Sequence, residues 1–518
     1  MNLRKGILLP VLLTIAGLIF QPGYCAFAQG MHTTATSMAL GGGGSAYVPG
    51  YHAAFVNPAN LMLPERDTRI TLGVLGGVRS SAGGSLVNIS LYNKHFTKGH
   101  VLDSDRVMDI SDDWFGTSRN AMGYAGADVS VVPLGASYRR DRMAFSSAIR
   151  ARTLSSARMS KGFFELALTG LSSKVFKDPK NVDLSGEFLG MWEWSFGYAM
   201  EVWRNSERFE PGAQRIYAGI APKLLFGMGY ARIGLESSLQ VTGQNQGQAR
   251  VHHEFDYKLL TVGNLTDDLE AYYQERRVRG NEDALLSDFV DDDSFSDLGG
   301  VFGTGFGLDL GATWEWYRGD IDLPVIGSGP QIIRASFSIT DIGAISFDDN
   351  AGEFRAADTF DWEGVTVDFD YIDREHDGDV LDYLEYVVKD SIGSDIYGNF
   401  SSRETSSHRI GLTPAFTFGG AVTMGKLGVM LDIGKGINNR GVNSRRFYTA
   451  LGSQYMLINA IPLRFGIRAG GGSSVNLSFG TGVDVRNFEF SFSVMTTPGS
   501  ERRGGNIGAA LSGFVVRF

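Results

Sequence analysis

The sequence predicts an all-β fold, a single transmembrane antiparallel β-barrel preceded by a separate N-terminal segment. The first observation is a long series of segments in which apolar and polar residues alternate, as in strands with one apolar face. The second is the last strand, 506–518, where Phe514, Val516 and Phe518 fall on one face and the chain ends on the last of them. The third is an export signal at the N-terminus, which a barrel outside the cytoplasm requires.

Residues 1–28 have the pattern of a secretory signal peptide, and the mature chain is expected to begin after them. Two basic residues are followed by an apolar core at 6–20 and by the small-residue cleavage site Ala26–Ala28. Cys25 is the only cysteine and lies in the removed part. The mature chain is therefore expected to have neither a disulfide nor a thiolate metal site.

The chain is acidic. Its formal net charge is −10, and removal of Arg4 and Lys5 with the signal gives −10 − 2 = −12. An acidic chain repels the phosphate backbone, so no nucleic-acid partner is expected. No later run of about 18 apolar residues occurs, so no membrane helix is predicted.

The segment 29–66 is rich in glycine and small residues and has no clear periodicity. Gly41 and Gly42 begin a run of four glycines that permits positive φ and tight backbone packing. Asn57-Pro58 is typical of a turn. A flexible linker is the plain alternative. A phosphate-binding loop is disfavoured, because no strand precedes the glycines and no Lys-Ser/Thr pair follows them.

The remainder, 67–518, is predicted to form the barrel strands. The clearest one is 192–202, where two Trp, a Phe and a Tyr share a face. Such a face is better explained by lipid contact than by the solvated side of a soluble sheet. The residues on it are Trp192, Trp194, Phe196, Tyr198, Met200 and Val202.

Counting such segments gives about sixteen candidate strands, an even number as bacterial single-chain barrels have. The count includes a short strand through Val87, Ile89 and Leu91. Pro133 interrupts another segment and predicts a bulge or an edge there.

Long insertions at about 246–300 and 342–406 are predicted to be outer loops, and the short turns are predicted to face the periplasm. Tight turns make consecutive strands antiparallel neighbours. The short turns are predicted near Gly229, Gly420, Asn459 and Asn487.

Both insertions are acidic, and one of them approximates a calcium-binding loop. Its core is Asp373, Glu375, Asp377 and Asp379 around Gly378, but the twelfth position is Leu384 rather than Glu. A solvated acidic loop is the favoured interpretation. The other insertion carries Asp288, Asp291, Asp292, Asp293 and Asp297.

Two further segments were considered for chemistry. His252, Glu254 and Asp256 share one strand face and could bind an ion, although polar side chains facing water or the lumen explain them more simply. The segment 161–172 has the spacing of a short interfacial or lumen helix. No catalytic motif is present, so no enzyme activity, cofactor or metal site is predicted.

The sequence SMALGGGGSAYVPGYHAAFVNPANL resembles the N-terminal plug of the FadL and PorV superfamily of outer-membrane barrels. The matching positions are Gly41, Gly42 and the Asn57-Pro58-Ala59 motif. The stretches GFGLDLGATWEW and FSITDIG add to a resemblance to a Bacteroidota-type family of such barrels without assigned function. The resemblance implies fourteen strands, with residues 29–66 folded inside the lumen.

The end of the chain resembles the C-terminal signal by which barrel assembly machinery of Gram-negative bacteria recognises its substrates. Gly513, Phe514, Val516 and Phe518 carry this likeness, with Val516 in place of a second aromatic residue. The resemblance implies a location in the outer membrane, with lipid and the assembly machinery as partners.

The resemblance implies passive transport of a hydrophobic or amphipathic small molecule, which predicts an apolar pocket inside the barrel. The alternative is a PorV-like barrel that binds or shuttles secreted proteins, which predicts a blocked lumen and large ordered outer loops. An outer-membrane hydrolase is a third alternative, and it requires a Ser, a His and an acid that converge.

Overall fold

The structure is a computed structural model that describes most of the chain after the N-terminal signal. All statements below concern these residues. They are 34–66, 68–97, 103–242, 250–281, 284, 286–290, 300–363, 399–404, 407–438, 444–471, 473–498 and 505–518. The predicted signal peptide, 1–28, lies outside them.

One antiparallel sheet contains all the strands of the described residues. The strands are β1 (Ile70–Gly84), β2 (Met122–Arg140), β3 (Met143–Ser160), β4 (Lys180–Asn181), β5 (Leu184–Arg204), β6 (Gln214–Thr242), β7 (Arg250–Val262), β8 (Gly303–Leu323), β9 (Gly327–Phe347), β10 (Ala351–Glu363), β11 (Ser401–Glu404), β12 (His408–Gly411), β13 (Ala415–Met424), β14 (Leu427–Gly436), β15 (Tyr448–Ile458), β16 (Ile461–Gly470), β17 (Ser473–Val485), β18 (Phe488–Thr496) and β19 (Gly505–Arg517).

The sheet closes on itself into a barrel of fourteen strands, because the last strand pairs with the first. Thr71 of β1 lies opposite Arg517 of β19, and the register continues to Gly84 and Gly505 with one bulge. The strands β4, β7, β10, β11 and β12 are additions to this wall. Closure leaves the fourteen described wall strands without a free edge, which is the arrangement a membrane demands. The barrel prediction is confirmed, and its strand number is the fourteen that the resemblance implied rather than sixteen.

Short helices lie in the N-terminal segment and in the long connections. None of the helices among the described residues is long and apolar enough to span a membrane. The α-helices are α1 (Ala35–Ala39), α2 (Ile89–Phe96), α3 (Ser104–Phe115), α4 (Lys161–Thr169), α5 (Ser173–Phe176) and α6 (Asn264–Tyr273). Single turns of other helix types occupy Tyr51–Phe55, Pro58–Met62, Gln274–Val278 and Leu286–Asp288.

The outer face of the barrel is an apolar belt. On β5, Trp192, Trp194 and Phe196 are exposed while the intervening Glu193 and Ser195 are fully buried in the lumen. A wall that is apolar outside and polar inside is what lipid around a barrel requires. The same arrangement continues through Leu310, Phe337, Phe418, Leu431, Leu451, Phe465, Phe479, Phe492 and Phe514.

Among the fourteen wall strands, the turns of two or three residues lie at one end of the barrel, apart from the β16–β17 turn, and the longest connections lie at the other end. The predicted turns at Asn459 and Asn487 are confirmed. The predicted turns at Gly229 and Gly420 are wrong. Gly229 lies inside β6, at the point where this strand of 29 residues changes its partner from β8 to β7. Gly420 lies inside β13.

The predicted strand through Val87, Ile89 and Leu91 is also wrong, because this segment starts α2. Asn88 caps that helix, its side-chain oxygen accepting a hydrogen bond from Leu91 N at 3.0 Å. The predicted bulge at Pro133 is confirmed by a register shift between Val131 and Leu134 against β3.

The strands β6, β7 and β10 extend beyond the barrel as an outer ribbon, covered by α6. The predicted outer loops are therefore bounded differently: β7 occupies 250–262 and β9 continues to Phe347. A separate apolar core stabilises this ribbon. It contains Phe255, Leu269, Tyr272, Phe354 and Phe400.

Candidate functional site

The N-terminal segment, 34–66, lies inside the barrel and is called the plug below. Its helix α1 contacts β16 to β19, and its turn Pro58–Met62 contacts β5, β6 and β8. Nearly all of its side chains are buried, although few of them are large. Small residues allow the segment to follow the wall closely while filling the short-turn half of the lumen.

The Asn57-Pro58-Ala59 motif holds the plug to β8. Asn57 Nδ2 donates to Ser45 O and to Thr313 Oγ1, both at 2.9 Å. Asn57 Oδ1 also accepts from Ala59 N at 3.2 Å and so caps the turn that follows. The motif therefore joins two parts of the plug and one barrel strand through a single buried amide.

Glycines in the wall make room for this motif. A Cβ at Gly219 of β6 would collide with the backbone of Pro58 and Ala59, and a Cβ at Gly311 would collide with the amide of Asn57. Both glycines face the lumen, where any other residue would push the plug away. The seat of the plug is thus built by two separated parts of the sequence.

Gly41 and Gly42 end α1 in the left-handed region, with φ of 75° and 79°. Gly42 N donates to Ser37 O at 2.8 Å, which completes the C-terminal turn of the helix. Gly41 also lies against the backbone of Ile467 on β16. These glycines serve the backbone conformation of the plug, and neither belongs to a phosphate-binding loop.

A second anchor joins the plug to β9 and β14. Ser45 N and Ser45 Oγ donate to the carboxylate of Asp432 on β14, at 3.0 and 2.9 Å. The Ser45 hydroxyl also lies 3.1 Å from that of Ser336 on β9. Ser45 is fully buried, so these bonds are shielded from water.

Beyond the plug, eight charged side chains from β1 to β9 meet in the lumen and form what is called the ion layer. Lys223 Nζ lies 2.8 Å from Asp309 and 2.9 Å from Asp341, and Lys223 and Asp309 are 0% exposed. Arg152 Nη1 lies 2.7 Å from Asp341, and Arg150 Nε donates to Glu193 at 2.7 Å. The members of the layer are Arg79, Arg150, Arg152, Lys223, Asp128, Glu193, Asp309 and Asp341.

The ion layer contains four cations and four carboxylates, so its formal charge is zero. Phe55 of the plug covers it from below, with Arg150 4.3 Å and Lys223 5.8 Å from the ring centroid. Buried charges are tolerated when every one is paired in this way. The layer and the plug are therefore in direct contact.

An apolar cluster lies in the lumen on the other side of the ion layer. Tyr230 and Phe347 lie at its centre, with ring centroids 6.1 Å apart. The cluster is buried, and most of its members lie on β3, β5, β6 and β9. Its members include Leu154, Leu189, Met191, Leu225, Ile345, Ile410 and Leu412.

A cavity of about 500 Å³ lies beyond the apolar cluster, toward the long loops. Tyr230 and Ile410 belong to both, so the cluster forms part of the cavity lining. The transport hypothesis predicted an apolar pocket, and the structure corrects this: the lining is mixed, with charged groups beside apolar ones. The charged and polar groups include Arg158, Arg232, Arg409, Glu187 and His408.

The same order of layers appears along three neighbouring strands. On β3, Arg150 and Arg152 belong to the ion layer, Leu154 to the apolar cluster and Arg158 to the cavity. The order on β5 is Glu193, then Leu189, then Glu187, and on β6 it is Lys223, then Leu225, then Arg232. A solute that entered from the long-loop end would meet these layers in turn.

The residues of the predicted assembly signal lie on β19, except Phe518, which directly follows it. Phe514, Val516 and Phe518 are exposed on the apolar belt, whereas Arg517 is 5% exposed and faces the lumen. Gly513 lies against the carbonyl of Leu75, where β1 bulges away from β19. The last residues therefore also close the barrel.

Arg517 binds a cluster of carboxylates at the short-turn end. Its Nη1 lies 2.8 Å from Asp484 and its Nε 3.2 Å from Glu65, and it also pairs with Glu489. Glu65 belongs to the plug. Arg66, beside it, lies 3.1 Å from Asp484. The C-terminal strand thus binds the last residues of the plug, where the chain leaves the lumen and enters β1.

The face of β7 that suggested an ion site is engaged in cross-strand pairs. His252 lies 3.0 Å from Asp361, and Asp256 pairs with Arg355 at 2.5 Å. The hydrogen bond from Arg355 lowers the pKa of Asp256. Within the ranges that the structure covers, no three His, Cys, Asp or Glu side chains are grouped closely enough to hold a metal ion.

His253, on the other face of β7, is neutral in the folded ribbon. Its Nε2 lies 2.6 Å from Ser237 Oγ, and its ring packs against Phe255 and Phe360. Burial lowers the pKa of His253 to about 4. The acidic residues Asp291–Asp297 and the calcium-like sequence 373–385 lie outside the described residues.

The ion layer and the cavity arginines were not predicted from the sequence. One signal was available: Arg150, Arg152 and Glu193 occupy positions opposite to the lipid-facing residues of their strands. Charged residues on that face must point into the lumen. Their partners could not be chosen, because Arg152 and Asp341 are 189 residues apart.

A closed antiparallel wall, an apolar outer belt and a lumen filled by a plug define a transmembrane β-barrel. The structure is similar to TodX, described as a toluene transporter of P. putida, with 11% identity, 95% of this chain and 99% of that chain covered, and a TM-score of 0.42. It is similar to TbuX, a toluene transporter of Ralstonia pickettii, with 13% identity, coverage of 94% and 98%, and a TM-score of 0.42. A third similar chain is a FadL homologue of Pseudomonas aeruginosa, with 11% identity, coverage of 96% and 99%, and a TM-score of 0.39.

The chain belongs to a family of unknown function, DUF5723, whose sequence profile matches residues 58–512. A search of curated proteins gives no match.

Proposed function

We propose that this protein is a gated outer-membrane channel for an amphipathic small molecule. The observation that supports it most is the cavity of about 500 Å³ at the long-loop end, which has charged groups and an apolar cluster in one lining. A molecule with a polar head and an apolar body matches such a surface. We take the long loops to face the cell exterior, as in other barrels.

The route below the cavity is closed in the observed state. The apolar cluster, the ion layer and the plug follow one another, and their central side chains are buried. Passage therefore requires these layers to shift. The plug is the element best suited to move, because hydrogen bonds, small side chains and the ion pairs of its last residues hold it, and no strand pairing among the described residues joins it to the wall.

Uptake by liposomes tests this proposal. The refolded full-length barrel would be reconstituted, and entry of radiolabelled octanoate, hexyl phosphate and raffinose would be compared with entry into empty liposomes. The proposal expects at least one amphipathic solute to enter faster than raffinose. Deletion of 31–64 should admit raffinose as well. Absence of protein-dependent entry for every amphipathic solute would contradict the proposal.

A second candidate function is a sealed barrel that binds or shuttles a secreted protein. The closed lumen favours it, as does the outer ribbon with its own apolar core around Tyr272 and Phe400. In that function the ribbon is the contact surface and the lumen never opens. Liposomes that remain impermeable to all three solutes, and leak only after deletion of 31–64, would favour this candidate.

A further inference from the structure

The cavity at the long-loop end carries three arginines from three different strands. Arg158 belongs to β3, Arg232 to β6 and Arg409 to β12. None of them forms an ion pair or a side-chain hydrogen bond with another residue in the part of the chain that the structure describes. The lumen arginines Arg150 and Arg152 are paired with carboxylates. The cavity arginines are therefore available to a ligand.

The one carboxylate in the cavity lining is already engaged. Tyr230 Oη donates to Glu187 Oε1 at 3.0 Å. Arg232 lies directly opposite Glu187 in the β5–β6 ladder, and no ion pair joins these two side chains among the described residues. The three arginines and the one glutamate of the lining have a summed formal charge of 3 − 1 = +2.

A concave surface with a net charge of +2 favours an anion of matching charge. Guanidinium groups bind phosphate and carboxylate oxygens in pairs, and their hydrogen bonds to ionised acceptors are the stronger kind. A phosphate monoester carries between about one and a half and two negative charges at neutral pH, and a dicarboxylate carries about two. Either group would balance the cavity.

The same cavity offers an apolar surface next to the arginines. Leu260 lies opposite Arg232 in the β6–β7 ladder, and Ile410 directly follows Arg409 in β12. Both line the cavity, and Tyr230 joins them. A ligand whose head reaches the arginines would place its body on these side chains.

We propose that this cavity binds an organic anion with a doubly charged head group, a phosphate monoester or a dicarboxylate, with a short apolar body. The inference rests on the proposed function in one respect: the bound anion is taken to be the molecule that the channel transports. Binding itself requires no flux. The two claims can therefore fail separately.

Isothermal titration of the refolded full-length barrel in detergent tests the binding claim. The probes are hexyl phosphate, butylsuccinate, hexanoate and hexanol. Saturable binding of hexyl phosphate or butylsuccinate is expected, at least about tenfold tighter than hexanoate, because a charge-assisted hydrogen bond contributes that much. Whether hexyl phosphate or butylsuccinate binds more tightly identifies the preferred head group. Equal affinity for hexanoate, or absence of saturable binding for both dianions, overturns the proposal.

The variants Arg158→Gln, Arg232→Gln and Arg409→Gln locate the site. Each should weaken binding of the preferred dianion by about tenfold, because each removes charged contacts to it. Arg446→Gln is the matched control: Arg446 is exposed, lies near the long-loop end and does not line the cavity. Unchanged affinity in the three variants, or the same loss in the control, overturns the proposal. Heat-modifiable migration on gels confirms that each variant is folded.

Binding without uptake in liposomes would retain this inference and contradict the transport proposal. Uptake of octanoate without binding of either dianion would retain transport and overturn this inference. The two measurements use the same protein preparation, so a folding failure affects both and is recognised by gel migration.

Discussion

Arg517 Nε lies 3.2 Å from Glu65 Oε2, so the second-last residue of the chain is paired with the end of the plug. The two residues are 452 positions apart. Arg517 also lies opposite Thr71 in the ladder that closes the barrel. The closure of the wall and the position of the C-terminal end of the plug therefore depend on the same side chain.

Replacement of Arg517 by Gln should destabilise the folded barrel. Glu65, Asp484 and Glu489 would lose their shared cation, and removal of one partner from a buried ionic cluster costs about 3–5 kcal/mol. Urea unfolding followed by tryptophan fluorescence measures this. Arg486→Gln, on the exposed turn beside it, is the control and should be nearly neutral. Equal midpoints for the two variants would contradict the role assigned to Arg517.

Gly311→Val should push the plug out of its seat. A side chain there collides with Asn57, and overpacking of this kind costs about 1–3 kcal/mol. Ion conductance in planar bilayers should rise, because the short-turn half of the lumen is no longer filled. Ala312→Val adds similar volume on the exposed outer face of the same strand and should leave conductance unchanged. A sealed Gly311→Val barrel of normal stability would refute the packing argument.

Lys223→Met should destabilise the ion layer strongly. Asp309 and Asp341 would share a dry environment without their nearest common cation, at a cost of about 3–5 kcal/mol. Addition of Asp309→Leu should restore much of the stability, because it removes the stranded charge. Denaturant midpoints of the single and double variants decide this. Lys426→Met, at the β13–β14 turn, is the control. A loss of stability of similar size in this variant would contradict the stabilising role assigned to the ion layer.

Acid should loosen the outer ribbon through His253. Its pKa is lowered from 6.5 to about 4, so the neutral form stabilises the fold fully above pH 6.5 and this contribution is lost as the pH falls toward 4. Amide exchange in β7, corrected for intrinsic rates, should show protection falling by up to about tenfold per pH unit between pH 6.5 and pH 5.

His253→Gln should remove most of this acid dependence, because an amide can retain the bond to Ser237 without titrating. His252→Gln, one residue away on the opposite face, is the matched control and should keep it. Asp256 does not complicate the comparison: its pKa is lowered below 3.8 by Arg355 and lies outside this range. Identical exchange profiles for wild type and His253→Gln would count against the assignment.

The lipid-facing half of the fold was predictable because it obeys a local rule. Alternation with a period of two is set by strand geometry alone, and 192–202 displayed it without reference to any partner. Turn prediction from glycine failed at Gly229 and Gly420, because glycine inside a strand also marks a change of partner or a close approach. The helix at 89–96 was missed because the cap at Asn88 was read as part of a strand.

The lumen was not predictable to the same degree. The plug motif pointed to residues 41–42 and 57–59, yet their seats at Gly219 and Gly311 are fixed only when the barrel closes. The ion layer depends on pairs such as Lys223 with Asp341, which are 118 residues apart. The register of every intervening strand decides such pairs, and no local pattern contains it.

Reversible locking of the plug tests the account most directly. Ser45 Oγ and Ser336 Oγ lie 3.1 Å apart, so Ser45→Cys with Ser336→Cys should form a disulfide between plug and wall, in a mature chain expected to have no other cysteine. Uptake of hexyl phosphate and octanoate by liposomes would be measured with the bond oxidised and then reduced, with each single variant as control. The account predicts no uptake when oxidised and wild-type uptake after reduction. Equal uptake in both states would contradict a lumen gated by the plug.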